Sequence, residues 1–188
     1  MSKKPYMVGI SGGTCSGKST LAENLKEMLS SKYNVTIFRM DNYYKWAKMK
    51  TIAPITRIEY PEHNHPDAVD TDSLRKDLTE AISDETNNIV LVEGIFSFYF
   101  DWLREMFDLK IFVDLKSDER MYRRIKRMLE REPFDKIALR YLDTVRYRHD
   151  EFVEPMRWHA DLVINGNLDA NLGTEIIADY IARQIAPC

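Results

Sequence analysis

Residues 8–22 read VGISGGTCSGKSTLA and lie near the start of a chain of 188 residues. Within this stretch, Gly12 to Ser19 match the pattern G-x-x-x-x-G-K-[ST]. Glycines let backbone N–H groups curl around a chain of phosphates, and the N-terminal end of the following helix adds partial positive charge. We therefore predict a phosphate loop here, with a strand before it and an amphipathic helix after it.

The end of the loop supplies two side chains suited to a nucleotide's phosphates. Lys18 provides a point charge for the β- and γ-phosphates, and the Ser19 hydroxyl can coordinate Mg²⁺. The pattern therefore indicates binding of a nucleoside triphosphate with Mg²⁺. The residues predicted to contact the nucleotide are Gly12, Gly13, Thr14, Cys15, Ser16, Gly17, Lys18, Ser19 and Thr20.

Apolar, β-rich runs alternate with helical patterns along the rest of the chain, as in proteins built from βαβ units. The predicted strands are Tyr6–Ile10, Val35–Met40, Ile89–Val92, Leu109–Val113 and Leu162–Ile164. The predicted helices are Ser19–Ser31, Asp72–Ser83, Tyr99–Met106, Asp118–Arg131, Lys136–Phe152 and Asn171–Ile185. We predict a single domain over residues 1–188, a three-layer, Rossmann-like α/β P-loop fold with a mostly parallel five-stranded sheet flanked by helices.

Residues 43–69 do not follow this alternation. They hold three prolines and show no clean period. Long irregular segments in compact domains are often functional. We therefore predict an excursion over the sheet that covers a substrate.

Composition narrows the class of protein. The apolar fraction of 44% is ordinary for a soluble globular protein, and the net charge of −3 disfavours a dedicated binder of nucleic acid or of a membrane surface. Two cysteines do not make a disulfide framework and are typical of a reducing compartment. With no targeting segment and no apolar run of about 20 residues, we expect a cytoplasmic protein.

Two acids follow predicted strands, and ligands of open parallel sheets bind beyond the carboxyl ends of the strands. Asp41 follows the second strand and is the candidate base for a hydroxyl acceptor. Glu93 follows the third strand and is the candidate carboxylate for a metal. Each acid could instead cap the next element or pair with a lysine, but a phosphate loop on the same sheet edge favours function.

The predicted lid helix, residues 117–133, presents a stripe of arginines. At about 100° per residue, its four members fall within roughly 60° of one another; they are Arg120, Arg124, Arg127 and Arg131. A solvated charged face would mix acids into the stripe, and none is present. A lid that clamps a transferred phosphate is therefore favoured over a solvated face, and a nucleic-acid surface conflicts with the net charge.

Aromatic and histidine residues surround the candidate base. Tyr43 and Tyr44 follow Asp41 and either stack on a flat substrate or cover the sheet edge, with stacking favoured for Tyr44. His63 and His65 have no further cysteine or histidine close by in the sequence. We therefore interpret them as loop or substrate-pocket residues rather than metal ligands.

The chain lacks the D-x-x-G and N-K-x-D patterns of switch GTPases, and no inserted lid of the nucleoside monophosphate kinase type is evident. Seven stretches together resemble the uridine kinase family, within the group that also holds phosphoribulokinase, pantothenate kinase and nicotinamide riboside kinase. In order they are GISGGTCSGKSTLA, MDNYY, HPDAVDTDSL, VLVEGIFSF, LKIFVDLKSDERMYRRIKR, RYLDTVR and FVEPMRWHADLVINGN.

The resemblance implies a kinase that moves the γ-phosphate of ATP, with Mg²⁺, to the 5′-hydroxyl of a nucleoside or riboside. It implies a homo-oligomer as well. It also implies the catalytic set Asp41, Lys18, Arg124 and Arg127, the metal pair Ser19 and Glu93, and a nucleotide contact from Arg131. Combined with the aromatic and histidine pattern, the predicted acceptor contacts are Tyr43, Tyr44, Asn64 and His65.

Three stretches depart from the family. The acid that usually grips the ribose hydroxyls is Asn64 here, and an amide hydrogen-bonds without charge assistance. The hairpin that contacts the pyrimidine is missing, because SDETNNI at 83–89 leads almost directly from helix to strand. The lid sequence is EREPF at 130–134, so Arg131 matches one family arginine and the other has no match.

These departures leave alternatives open. One is a nicotinamide riboside kinase-like enzyme or another small-molecule alcohol kinase. The other, of a different class, is a non-catalytic regulatory protein that binds nucleotide.

Overall fold

The computed structural model describes residues 4–45, 49–167 and 171–186. Its strands are β1 (Tyr6–Gly12), β2 (Val35–Arg39), β3 (Lys50–Ile52), β4 (Glu59–Pro61), β5 (Ile89–Glu93), β6 (Leu109–Asp114) and β7 (Leu162–Asn165). Five of them form one sheet in the order β2-β5-β1-β6-β7, and every pairing in it is parallel. All five predicted strands are thus confirmed.

The strand order decides where a ligand can bind. In β1, Tyr6 lies opposite Ile89 of β5, and Val8 lies opposite Leu109 of β6. The chain therefore builds the sheet on one side of β1 first, with β2 and β5, and then on the other side, with β6 and β7. In a parallel sheet with this reversal, a crevice opens beyond the carboxyl ends of the central strands.

Helices cover both faces of the sheet. Their bounds are α1 (Lys18–Leu29), α2 (Thr71–Ser83), α3 (Asp101–Arg104), α4 (Ser117–Met128), α5 (Phe134–Arg140), α6 (Arg146–Arg148) and α7 (Asn171–Ile185). On one face, Leu25 of α1 and Ile181 of α7 pack in a buried cluster with Ile10 of β1. On the other face, Leu74 of α2 packs in a second cluster with Phe112 of β6. These two clusters confirm the three-layer α/β fold.

Three predicted helices differ from the structure, and one of them, Asp118–Arg131, ends early because α4 stops at Met128. Tyr99–Met106 is shortened to the single turn α3, and the chain before it forms turns in which the Ser97 hydroxyl is within hydrogen-bond distance of the carbonyls of Ile10 and Gly94. The predicted Lys136–Phe152 begins as α5 but contains two π-helical segments. Their wider turns interrupt the period of an α-helix, and such segments are frequent at functional sites.

The predicted excursion has more structure than its sequence indicates. Strands β3 and β4 form an antiparallel hairpin, with Thr51 opposite Tyr60. The hydroxyls of Thr56 and Tyr60 donate to Oδ2 of Asp143, at 2.7 and 2.8 Å. Asp143 lies in the first π-helical segment, Tyr141–Val145. The hairpin is therefore fastened to the C-terminal half of the chain, while residues 46–48 of the excursion lie outside the described part.

Within the described ranges, we find no helix that combines the length and the apolar character needed to span a membrane.

Candidate active site

The phosphate loop turns from β1 into α1 and has the backbone of an anion cradle. Gly12 has a φ of 138°, and a Cβ there would lie 2.3 Å from the carbonyl oxygen of Val113. Gly17 has a φ of 110° at the start of α1, a conformation that glycine adopts without strain. No acid occupies the first turn of α1. The helix N-terminus and the loop amides are therefore available to an anion.

Lys18 lies inside this loop. Its side chain is buried, and Nζ donates to the carbonyl oxygen of Gly13 at 3.0 Å. Burial lowers the pKa of Lys18, and the negative charges of Glu93 and Asp41 partly oppose that decrease. Lys18 lines a cleft together with both predicted carboxylates, and a triphosphate would add the negative charge that favours its protonated form.

Several buried polar atoms around the loop have no hydrogen-bond partner in the described part of the chain. They include Arg124 Nε, which lies on a residue that lines the cleft, and Ser16 Oγ and Arg120 Nη1, which lie on residues that do not. The guanidinium of Arg120 lies against Gly13, and Arg124 Nη1 donates to Thr14 Oγ1 at 3.2 Å. Buried donors without acceptors are uncommon in folded proteins. At Arg124, a ligand rich in acceptor oxygens, such as a phosphate chain, fits this arrangement.

Two side-chain oxygens meet at the end of the loop. Ser19 Oγ donates to Glu93 Oε1 at 2.9 Å. The described residues contain no cluster of three or more His, Cys, Asp or Glu side chains suited to a metal. Mg²⁺ commonly takes only one or two protein ligands and completes its shell with water and substrate phosphates. The pair therefore fits a magnesium ion that arrives with the nucleotide.

A cleft of about 620 Å³ lies over these groups. It brings together most of the predicted site residues, from the loop, the ends of β2 and β5, the excursion and α4. Those that line it are Thr14, Cys15, Gly17, Lys18, Ser19, Thr20, Asp41, Tyr44, Asn64, Glu93, Arg124 and Arg127. Gly12, Gly13 and Ser16 belong to the loop but do not line the cleft.

Two predicted acceptor contacts lie elsewhere. The hydroxyl of Tyr43 donates to Asp77 Oδ2 in α2 at 2.8 Å, and burial together with that hydrogen bond raises the pKa of Tyr43 to about 12. The ring of His65 packs edge-on against Phe152, with centroids 4.7 Å apart. Both side chains therefore secure the wall of the site. Tyr44 is the member of the tyrosine pair that lines the cleft.

The arginine stripe divides into three groups. Arg120 is buried, and its Nε donates to the carbonyl oxygen of Leu115 at 3.0 Å, so it packs behind the loop. Arg124 and Arg127 line the cleft. Arg131 is exposed, lies beyond the end of α4 and does not line the cleft.

Among the further residues that line the cleft, Arg123 and Arg140 were not predicted to belong to the site, and His63 was interpreted only as a loop or substrate-pocket residue. Arg123 lies about 40° around α4 from Arg127, so a wider stripe would have included it. Arg140 forms an ion pair with Glu132, and no sequence period connects these two positions. The ring of His63 lies edge-on to that of Tyr44, with centroids 6.4 Å apart.

The chain is similar in sequence to a family of kinases and to several of its members. Residues 62–171 match the model of the phosphoribulokinase/uridine kinase family. A uridine kinase of Chlamydia pneumoniae is 32% identical over 95% of this chain and 90% of its own length. A uridine kinase of Lactococcus lactis is 30% identical over 96% of this chain and 97% of its own. The uridine-cytidine kinase B of Dictyostelium discoideum is 30% identical, covering 98% of this chain and 84% of its own.

Solved structures show the same fold. A candidate fructose transport system kinase from a Silicibacter species superposes with a TM-score of 0.63 at 16% identity, over 86% of this chain and 90% of that one. A candidate uridine kinase from Bacillus stearothermophilus gives 0.55 at 17% identity, over 87% and 90%. Together with the family match and the uridine kinase relatives, these similarities show that the chain belongs to the phosphoribulokinase/uridine kinase family and is an ATP-dependent kinase.

Proposed function

We propose that this kinase transfers the γ-phosphate of ATP, bound with Mg²⁺, to the 5′-hydroxyl of a nucleoside, with uridine or cytidine as the acceptor. One observation carries the proposal: Asp41 and Lys18 line the same cleft. A carboxylate beside a phosphate loop is placed to receive a hydroxyl that attacks the γ-phosphate. The uridine kinase relatives support a nucleoside acceptor, and neither alternative activity is favoured.

The phosphate side of the cleft positions the donor. The loop amides and Lys18 hold the phosphate chain, while Arg124 and Arg127 offset the negative charge that spreads over the transferred group. Positioning and electrostatic stabilisation make up most of catalysis in phosphoryl transfer. Ser19 and Glu93 would hold Mg²⁺, which supplies charge neutralisation at the phosphate oxygens.

The acceptor side orients the hydroxyl. Asp41 accepts the hydrogen bond of the 5′-hydroxyl and takes its proton as the new P–O bond forms and the bond from the γ-phosphorus to ADP breaks. Tyr44 and His63 flank a flat base, and Asn64 hydrogen-bonds the ribose diol. An amide in this place has both a donor and an acceptor for the two ribose hydroxyls.

The setting of the reaction is also a proposal. We place the enzyme in the cytoplasm, where ATP and Mg²⁺ are available, and we expect no nucleic-acid partner because the net charge is −3. The resemblance to uridine kinases favours a homo-oligomer.

Release of ADP by the purified protein with Mg²⁺ and ATP tests the proposal. The acceptors to compare are uridine, cytidine, adenosine, nicotinamide riboside, ribose and pantothenate. We expect uridine and cytidine to give the highest kcat/KM, with the 5′-monophosphate as product by mass spectrometry and NMR. Turnover confined to nicotinamide riboside or to a non-nucleoside would refute the proposal that a pyrimidine nucleoside is the acceptor. No turnover with any of these acceptors would refute the proposed nucleoside kinase activity.

A further inference from the structure

Glu62 is a buried carboxylate at the edge of the acceptor side. It follows β4 directly and is 3% exposed. Its Oε1 accepts a hydrogen bond from the backbone N–H of Asn64 at 2.7 Å, and its Oε2 accepts one from Arg148 Nε at 2.9 Å. Each carboxylate oxygen is therefore engaged by a different segment of the chain.

Arg148 connects those segments. Besides Glu62, it donates through Nη1 to Glu151 Oε2 at 2.7 Å and through Nη2 to Thr51 Oγ1 at 3.2 Å. Thr51 belongs to β3, and Arg148 is the last residue of α6. The planar fork of an arginine suits such divergent contacts, whereas a lysine is a single point charge. The arginine thus joins the β3–β4 hairpin to the helical segment that holds α6.

The two residues after Glu62 are His63 and Asn64, and both line the cleft. The hydrogen bond from the Asn64 N–H to Glu62 closes this turn. The position of the Asn64 side chain therefore depends on where the buried carboxylate is held. A buried carboxylate is in turn stable only while its partners stay in place.

We propose that Glu62, fixed by Arg148, is a positioning residue for acceptor binding: it sets the backbone that presents His63 and Asn64 to the nucleoside. The inference rests on the nucleoside kinase function proposed above. The phosphate loop is held by β1 and α1, so loss of the Glu62 contact affects the acceptor and not ATP. This role predicts a raised KM for the acceptor with little change in the KM for ATP.

Glu62→Gln is the decisive variant because it keeps the volume of the side chain. An amide has one acceptor oxygen, so it satisfies either the Asn64 N–H or Arg148 Nε but not both, whichever way it is turned. The matched control is Glu151→Gln. It removes another partner of the same arginine, but Glu151 is 54% exposed and lies outside the turn.

The measurement is steady-state kinetics with uridine and ATP, together with thermal unfolding. We expect Glu62→Gln to raise the KM for uridine about tenfold, the loss that follows when a buried donor is left unpaired. The KM for ATP should stay within about twofold, and Glu151→Gln should leave both constants within about twofold. Arg148→Lys, which keeps the charge but loses the fork, should give an intermediate rise for uridine.

Equal constants for Glu62→Gln and Glu151→Gln, or a parallel rise in the KM for ATP, would overturn the positioning role. If Glu62→Gln does not fold, Arg148→Lys decides: an unchanged KM for uridine would refute the proposal. A wild-type enzyme that phosphorylates no nucleoside would refute the proposed function first, and the inference with it. If the wild-type enzyme phosphorylates uridine but Glu62→Gln has an unchanged KM for uridine, only the positioning role of Glu62 is refuted, and the proposed function stands.

Discussion

The hydroxyl of Ser19 and the carboxylate of Glu93 are joined by a hydrogen bond of 2.9 Å between Oγ and Oε1. Ser19 lies in the first turn of α1 and Glu93 is the last residue of β5, so the contact connects the phosphate loop to the neighbouring strand. A hydroxyl and a carboxylate side by side match the small number of protein ligands that Mg²⁺ requires.

Glu93→Gln tests the metal role, because the amide oxygen still accepts the hydrogen bond of Ser19 while the negative charge is lost. We expect the Mg²⁺ concentration for half-maximal activity to rise by at least about tenfold, since a charged ligand of the ion is replaced by a neutral one. A titration of Mg²⁺ at fixed ATP measures it. An unchanged Mg²⁺ requirement would contradict the assignment.

Lys18→Met separates function from stability. We expect kcat/KM for ATP to fall by about 10³ or more, because charge stabilisation of the transferred phosphate is lost. Burial lowers the pKa of Lys18, which means that the folded protein disfavours its charged form. The melting temperature of Lys18→Met should therefore equal or exceed that of the wild type, and a decrease of several degrees would argue against this account.

Asp41→Asn should slow transfer strongly and spare nucleotide binding. Loss of a general base lowers kcat by about 10²–10⁴, while affinity for ATP should change little because the loop is intact. Single-turnover kinetics and calorimetric titration of ATP measure the two effects. The control is Asp114→Asn. Asp114 is also a strand-end acid, but it pairs with Arg157 at 3.0 Å and does not line the cleft. This variant should keep the wild-type transfer rate at saturating ATP.

The structure distinguishes two arginines that the stripe places together. Arg127 lines the cleft, so Arg127→Ala should lower kcat by about 10²–10³. Arg131 is exposed beyond the end of α4, and Arg131→Ala should stay within about twofold of wild type. A large loss of kcat in Arg131→Ala would instead support the nucleotide contact that the sequence predicts.

His149 should make the protein sensitive to acid. Burial and the positive charges of Arg120 and Lys18 lower the pKa of His149 to about 3 from its ordinary 6.5, so the ring is neutral and its Nε2–H donates to Glu154 at 3.2 Å. Between these pH values the unfolded chain binds one more proton than the folded one. Stability is therefore complete above about pH 6.5 and falls with decreasing pH, by up to about 1.4 kcal/mol per pH unit from this residue.

The variant His149→Gln removes that titration and keeps a donor for Glu154. Urea unfolding between pH 4.5 and pH 8 should show a shallower loss of stability on the acid side than in the wild type. Parallel curves for the two proteins would contradict the buried, neutral histidine.

The loop and the strand ends were predictable because they depend on local patterns. Buried parallel strands carry continuous apolar runs, which makes them easy to recognise in the sequence. Because the strands share one direction, the residues at or just beyond their carboxyl ends, Asp41 and Glu93, lie at the same edge of the sheet. For this reason most of the predicted loop residues line one cleft with Asp41 and Glu93, while their contacts with a nucleotide remain a prediction.

The acceptor half was harder to predict because tertiary contacts decide it. Strands of three residues, as in β3 and β4, are too short to show a period. Tyr43 and Tyr44 are adjacent, yet the first turns to α2 and the second to the cleft. Helix α4 ends at Met128, so a projection at about 100° per residue no longer applies to Arg131.

The sheet order has a consequence for biosynthesis. The partners of β1 begin at Ile89 and Leu109, so the first strand has no neighbour until much of the chain has been made. At about 5–20 residues per second, a ribosome needs about 5–20 seconds after releasing the phosphate loop to supply both neighbouring strands. During that interval the apolar strand is without partners and ATP has no formed site to stabilise. Nascent chains stalled before β5 should thus neither retain ATP nor resist protease, whereas chains released after β6 should begin to do both.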